Sequence, residues 1–166
     1  TGAITLFGSD EQKSKWLPQT RSGTAISAFA LTEPGSGSDV ASNTMTAVPD
    51  GVDYILNGQK TWISNGGIAN VYTVFARTGE APGAKGMSAF IVPAGLAGFE
   101  VTERLETIAP HPLATLTFNE LNFILDADNI PVQAKRGWKV VLSTAVAADA
   151  CAAGAVHAGR RRAPAL

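Results

Sequence analysis

The spacing of apolar and polar positions changes twice along this chain, and each change predicts a change of secondary structure. Helix-forming residues follow Ser9, and Gln12 stands three positions later, which is the spacing of a capping box. From Thr44 the apolar positions recur with a period of two, which is typical of strands. After Pro131 the spacing is helical again, over residues 137–159. The chain is therefore predicted to run from helix through β-structure to helix.

The middle of the chain contains short β-rich runs separated by turn residues. The hairpin signals are Pro-Asp-Gly at 49–51 and Asn-Gly at 57–58. Runs at this spacing predict a mainly β domain, an antiparallel sandwich or barrel. A lone helix at either end cannot bury its apolar face, so both terminal helices are expected to be parts of flanking helical domains. The predicted strands are 44–48, 52–57, 59–64, 71–78, 87–93, 99–106 and 115–124.

Composition narrows the classes of partner. Charged residues make up 16% of the chain and the formal net charge is −1, so no basic surface for nucleic acid or an anionic membrane is expected. The single cysteine, Cys151, excludes an internal disulfide and is interpreted as a small buried hydrophobe. The sequence shows no targeting segment. The apolar run 140–156 contains Asp149 and many alanines, which favours a buried bundle helix over a membrane span.

Few residues suggest metal or acid–base chemistry. His111 lies between Pro110 and Pro112, and no second histidine or carboxylate stands at metal-ligand spacing. We interpret His111 as structural and predict no metal site.

The stretch ALTEPGSGSDV at 30–40 combines glycines with hydroxyl side chains. Such backbone can bring N–H groups close to a phosphate. It lacks the third glycine of a dinucleotide fingerprint, and no lysine follows as in a P-loop. From the residues alone, it is either an anion-binding loop or a surface turn.

Four segments together resemble the acyl-CoA dehydrogenase family of flavoproteins. The most specific feature is T-E-P-G-x-G-S-D followed some twenty-five residues later by N-G-x-K-x-W-I-[ST]-N-G, read here at 32–39 and 57–66. The segments that carry the resemblance are 8–40, 54–77, 86–101 and 136–156. The resemblance implies an α-β-α architecture in which FAD lies between the β-domain and helices. It divides the chain into the end of an N-terminal helical domain (1–27), a middle β-domain that contacts FAD (28–126) and the start of a C-terminal helical domain (127–166).

The resemblance also implies roles for individual residues. Thr32 is expected to bond the pyrimidine edge of the flavin, and Gly35 and Gly37 to allow close approach. Ser38 is expected to reach the pyrophosphate region and the CoA part of the substrate, and Ser64 the flavin N5. Alternation puts Trp62 and Ser64 on one face of a strand. The implied cofactor-binding residues are Phe29, Leu31, Thr32, Gly37, Ser38, Trp62, Ile63 and Ser64.

The function implied is FAD-dependent α,β-dehydrogenation of an acyl-CoA thioester. The expected partners are acyl-CoA, an electron-transfer flavoprotein or similar acceptor, and further copies of the full-length chain; the expected location is the cytoplasm or the mitochondrial matrix. The glutamate that serves the family as catalytic base has no counterpart here, so no catalytic residue is assigned and the 166-residue chain alone is expected to be inactive. The alternatives are a flavin monooxygenase or acyl-CoA oxidase of the same superfamily, or a non-catalytic truncated binding module.

Overall fold

A computed structural model of the chain describes residues 1–51, 53–79 and 81–123. In these ranges two helices precede seven strands, and short 3₁₀ turns lie at Val40–Ser42 and Gly83–Gly86. The helices are α1 (Gly2–Phe7) and α2 (Asp10–Ser22). The strands are β1 (Ser27–Ala30), β2 (Thr46–Asp50), β3 (Asp53–Ser64), β4 (Val71–Arg77), β5 (Met87–Pro93), β6 (Phe99–Leu105) and β7 (Leu113–Phe123).

Helix α2 begins at the predicted capping box. The Ser9 hydroxyl accepts a hydrogen bond from the Gln12 backbone N–H at 3.2 Å, and the Gln12 side chain accepts one from the Ser9 N–H at 2.9 Å. Each bond satisfies a donor that the helix cannot pair internally. The helix continues past Pro18 and ends before Gly23, which has a φ of 78°.

The strands form one curled sheet in the order β1-β4-β2-β3-β7-β6, with β5 on the other edge of β4. Most neighbours are antiparallel, but β1 runs parallel to β4, and β2 also meets β4 in a parallel bridge. The prediction of a mainly β domain is confirmed. The sheet is mixed rather than wholly antiparallel, because β1 pairs with β4 in the parallel direction and the two strands are not joined by a hairpin.

Strands β4 and β5 are buried on both faces, which explains their nearly continuous apolar sequences. On the inside of the curl, Tyr72, Val74 and Phe90 belong to the larger apolar cluster. On the outside, Phe75 and Ile91 pack in a second cluster that also contains Ile4 and Trp16 from the helices, together with Leu31. The two helices therefore pack on the face of β4 and β5 opposite the larger cluster.

The prediction of a hairpin at Asn57-Gly58 is wrong. Gly58 lies inside β3 at a φ of 143°, where the register with β7 shifts between Leu56 and Gly58. The Asn57 side chain accepts a hydrogen bond from the Glu120 N–H at 2.8 Å. Asn57 and Gly58 therefore form a bulge in β3, where it pairs with β7. The hairpin occurs at the other signal, where Asp50 pairs with Asp53 across Gly51.

Several expectations concern residues outside the described ranges. These are the helix at 137–159, Cys151 and the assignment of 127–166 to a helical domain. Among the residues that the structure describes, no helix is long and apolar enough to cross a membrane.

Replacing Gly58 with alanine should lower the free energy of unfolding by about 2–5 kcal/mol, the combined scale of backbone strain and overpacking. A Cβ at this position would lie 2.8 Å from the Met45 Cβ, and the φ is one that side chains rarely adopt. The control is Gly51→Ala, where the φ is 63° but nothing lies within 4 Å, so that only about 1–2 kcal/mol should be lost. Urea unfolding of both variants tests this. Equal losses would show that close packing against Met45 contributes nothing.

Candidate functional site

The glycine-rich stretch is tied to β3 by a buried ion pair. Lys60 Nζ lies 2.8 Å from Glu33 Oε1, and the two side chains are 0% and 4% exposed. Lys60 also donates to the Leu31 carbonyl at 3.0 Å. One lysine of β3 thus holds the segment that leaves β1, so the two quoted sequence motifs lie side by side.

The Glu33 carboxylate also accepts hydrogen bonds from residues near the start of β2. It accepts hydrogen bonds from the Thr44 N–H at 2.6 Å, the Thr44 hydroxyl at 3.0 Å and the Met45 N–H at 3.0 Å. These residues begin the approach to β2. Glu33 therefore closes the loop of residues 31–44, because its backbone lies at one end and its carboxylate binds the other.

Burial and the contact between Glu33 and Lys60 shift the pKa of both groups. Burial raises the pKa of Glu33, but the hydrogen bond from Lys60 and those from the Thr44 and Met45 N–H groups outweigh it, so this pKa lies below its ordinary value. Burial lowers the pKa of Lys60 to about 8, and the hydrogen bond to Glu33 opposes this shift only in part. At neutral pH both groups are therefore charged.

Inside the loop, polar side chains bond the backbone to itself. Glu33 and Ser36 exchange backbone hydrogen bonds of 2.9 and 3.1 Å, which form a tight turn around Pro34 and Gly35. The Ser36 hydroxyl lies within hydrogen-bond distance of the Asp39 carbonyl and of the Asn43 side-chain oxygen, and its single hydrogen can be donated to either. Asn43 in turn donates to the Leu31 carbonyl at 2.7 Å. The loop is thus held in one conformation while Gly35, Gly37 and Ser38 stay exposed.

Arg77, at the end of β4, secures the far side of this loop. Its guanidinium donates to the carbonyls of Ala41 at 3.0 Å and Asn43 at 3.1 Å, and to that of Gly83 at 2.9 Å. Sequence reasoning gave no role to Arg77, Glu33 or Lys60. Glu33 and Lys60 could have been found, because an acid and a lysine stand at set positions in the two quoted motifs.

The second predicted segment carries an irregularity that exposes Trp62. The pairing of β3 with β7 shifts between Lys60 and Ile63, and Trp62 has a φ of 57°. Trp62 is 59% exposed and Ser64 is exposed, whereas Ile63 between them is 2% exposed. The Thr61 N–H donates to the Thr32 carbonyl at 2.9 Å, so Trp62 lies next to the first predicted segment.

The predicted residues differ in what they can offer a ligand. Thr32 is half-buried and Phe29 is 37% exposed on β1, with its ring 4.9 Å from that of Phe75. Leu31 and Ile63 are buried in the core, so only their main-chain atoms can meet a ligand. The structure therefore brings Thr32 beside Thr61 and Trp62, and it buries the side chains of Leu31 and Ile63.

Two features border this surface. A groove of about 560 Å³ lies beside Pro34 and is lined by hydroxyl and polar side chains of β3, β6 and β7. At the end of β3, the Ser64 hydroxyl lies 2.9 Å from Nε2 of His111. Within the described residues, no three His, Cys, Asp or Glu side chains gather in a way that could hold a metal ion.

Comparison with known proteins identifies a family. Residues 28–121 match the model of the acyl-CoA dehydrogenase middle domain. An acyl-CoA dehydrogenase of Bacillus subtilis is 47% identical over 104 residues, 63% of this chain and 27% of that protein. The mitochondrial very long-chain specific acyl-CoA dehydrogenase of Rattus norvegicus is 40% identical over 149 residues, 84% of this chain and 22% of that protein. The chain thus spans about a quarter of the length of these relatives.

A solved structure is similar over the same part. A glutaryl-CoA dehydrogenase from Mycobacterium smegmatis, in complex with FADH2, superimposes with a TM-score of 0.75 at 35% sequence identity. The match covers 86% of this chain and 35% of that one.

Replacing Lys60 with methionine should destabilise the protein by about 3–5 kcal/mol, because it leaves the Glu33 carboxylate buried without its cation. The double variant Glu33→Gln/Lys60→Met should recover a large part of this loss, since no unpaired charge remains. Chemical unfolding of the two single variants and the double variant measures the coupling. Strictly additive losses would contradict a paired role.

Acid pH should lower the stability of the folded protein by protonating Glu33. Because its pKa in the folded state is lowered, its carboxylate contributes stability that is present above the ordinary value of 4.5 and is lost as pH falls through the folded pKa. The gap in melting temperature between the wild type and Glu33→Gln should therefore narrow from neutral pH toward acid pH. Thermal unfolding followed by circular dichroism measures it, and a gap that stays constant would exclude this contribution.

Proposed function

Because the chain belongs to the acyl-CoA dehydrogenase family, we propose that it forms the FAD-contacting middle domain of an enzyme that dehydrogenates acyl-CoA thioesters at the α and β carbons. The observation that carries the proposal is the exposure of Trp62 on β3 directly beside the braced loop of residues 31–44. A single exposed apolar side chain is common, but Trp62 is an exposed aromatic ring beside a loop whose hydrogen bonds already fix it, so the ring can give a flat ligand a broad apolar contact.

The residues present fit the chemistry of a flavin. The isoalloxazine ring is flat and apolar on its faces, which suits contact with the exposed Trp62 ring. Its polar edges require donors and acceptors, which Thr32 and Ser64 supply. A Cβ at Gly37 would meet no protein atom closer than 3.8 Å, and one at Gly35 would meet none within 4 Å. Within the described part of the chain, the space beside these glycines is therefore open to a ligand.

In this proposal each residue of the site has a separate task. Thr32 hydrogen-bonds the pyrimidine edge, and Trp62 gives the ring an apolar contact. Ser64 meets the N5 edge, while Ser38 lies toward the pyrophosphate and the CoA part of the substrate. Phe29 borders the site from β1, and Leu31 and Ile63 contribute main-chain atoms.

The braced loop gives these contacts their precision. A loop that had to order itself on binding would lose conformational entropy at that moment, which lowers affinity. Here the Glu33–Lys60 pair and the Arg77 hydrogen bonds have already ordered the loop. The chain therefore binds and orients the cofactor, and FAD when bound supplies the acceptor for the β-hydride.

The remaining parts of the enzyme complete the proposal. No catalytic residue is assigned to this chain, and the base that removes the α-proton is proposed to lie on the helices of a C-terminal domain. The domain limits 1–27, 28–126 and 127–166 belong to the same proposal. Acyl-CoA is the proposed substrate, and the proposed electron acceptor is an electron-transfer flavoprotein or a similar acceptor. The full-length enzyme is proposed to be a homo-oligomer. The proposed location of the whole protein is the mitochondrial matrix or the cytoplasm; the name of the rat relative includes the word mitochondrial.

Replacing Trp62 with alanine should weaken FAD binding by about 1–3 kcal/mol, roughly a 5- to 150-fold rise in the dissociation constant. The control is Val48→Ala, which removes another exposed apolar side chain, 53% exposed, on the neighbouring strand β2. FAD is titrated into the apo form of the native protein and followed by quenching of flavin fluorescence. If Trp62→Ala and Val48→Ala bind FAD alike, the proposed site is wrong.

The reaction of the reduced protein with oxygen distinguishes a dehydrogenase from an oxidase or a monooxygenase. A dehydrogenase should reduce an artificial acceptor with an acyl-CoA substrate and, once reduced, react slowly with oxygen. Rapid oxidation of the reduced protein by oxygen would indicate an acyl-CoA oxidase or a monooxygenase. Absence of FAD binding would indicate a non-catalytic module.

A further inference from the structure

His111 occupies a position that the proposed function does not use. It lies in the connection between β6 and β7, and its Nε2 is 2.9 Å from the Ser64 hydroxyl at the end of β3. Both side chains are exposed, so the contact is at the surface where the cofactor is proposed to lie. A polar pair at such a surface can change which hydrogen bonds the surface offers.

The connection is held firmly enough to fix this contact. The Asn65 N–H donates to the Pro112 carbonyl at 2.8 Å, and Ser64 pairs with Leu113 at the start of β7. Prolines on both sides of His111 restrict the backbone further. The imidazole is therefore presented to Ser64 by a constrained segment and not by a free loop.

The two partners together have a property that neither has alone. A serine hydroxyl has one hydrogen to donate and can accept with its lone pairs, while Nε2 of a neutral histidine either accepts or donates, according to the tautomer. When Nε2 accepts, the Ser64 hydrogen points to His111, and the oxygen accepts hydrogen bonds from the ligand side. When Nε2 donates, the Ser64 hydrogen is free to be donated to the ligand.

A flavin requires both arrangements. Its N5 is a hydrogen-bond acceptor when oxidised and carries a hydrogen when reduced, so a fixed hydroxyl suits only one of the two forms. We infer that His111 is a positioning residue that lets the Ser64 hydroxyl reverse its direction and bond N5 in both redox forms of the cofactor. The reversal accompanies a change of tautomer, in which the exposed imidazole loses its hydrogen from one ring nitrogen to water and takes one up from water on the other. This inference rests on the proposed function, because it requires Ser64 to lie beside N5.

The test compares His111→Phe with His111→Gln in the native protein, using FAD affinity and midpoint potential as readouts. Phenylalanine keeps a flat ring but makes no hydrogen bond to Ser64, whereas glutamine keeps both a donor and an acceptor. His111→Phe should weaken binding of one redox form by roughly 2- to 12-fold, the scale of one hydrogen bond. A tenfold difference between the two forms corresponds to about 30 mV in a two-electron midpoint potential. His111→Gln should restore most of the wild-type value.

The Ser64→Ala background is the decisive control. There His111→Phe should have no further effect on the potential or on FAD affinity, because the hydroxyl through which it acts is gone. An unchanged potential and affinity in His111→Phe would overturn the inference, as would an equal change in the Ser64→Ala background. Melting temperatures of the apo variants confirm that this exposed substitution leaves the fold intact.

The same data separate this inference from the proposed function. If Ser64→Ala alters the potential and His111→Phe does not, only the role of His111 fails. If the wild-type protein does not bind FAD, both proposals fail.

Discussion

The buried ion pair between Glu33 and Lys60 is the constraint on which the candidate site depends. It joins a glycine-rich loop, which has little apolar surface of its own to bury, to a strand in the middle of the sheet. Isolated charges are too costly to bury unpaired, so each of these groups requires the other. The requirement allows few alternative positions for the loop, which suggests that the pair serves to define one conformation more than to add net stability.

The carbonyl and N–H groups around the pair extend this constraint to the whole loop. Lys60 and Asn43 both donate to the Leu31 carbonyl, and Glu33 accepts from the backbone that leads into β2. Because these hydrogen bonds fix the backbone of the loop, Gly35, Gly37 and Ser38 can be exposed to solvent while the loop keeps one conformation. A rigid surface with exposed glycines and hydroxyls is what a phosphate-bearing ligand requires.

The bulges in β3 fit the same interpretation. Near Gly58 the strand shifts its register with β7, and it shifts again before Ile63, where Trp62 takes a positive φ. Bulges re-aim side chains and recur near functional sites. The second one leaves Lys60 and Thr61 both buried and Trp62 exposed, so the lysine can reach Glu33 while the indole faces outward. The ion pair and the proposed flavin contact are therefore two consequences of one irregularity.

Much of the fold could be predicted from local pattern. The capping box at Ser9, the period of two from Thr44 and the turn at Gly51 each depend on neighbours in sequence, and each has the expected structure. The family motifs indicated which segments belong to one site. Over the part of the chain that the structure describes, the count of seven strands agrees with the prediction only because two differences offset each other: 52–57 and 59–64 form one strand, and β1 was not expected.

What the sequence by itself determined is therefore the class of fold, the segments of the candidate site and the family. The tertiary structure alone decided that Asn57-Gly58 is a bulge, that β1 runs parallel to β4, and that Leu31 and Ile63 face the core. It also decided that Glu33 meets Lys60 and that His111 meets Ser64. The last two contacts join residues that lie 27 and 47 positions apart. Periodicity and turn propensity describe only near neighbours, so they carry no information about which distant strand or loop will supply the partner.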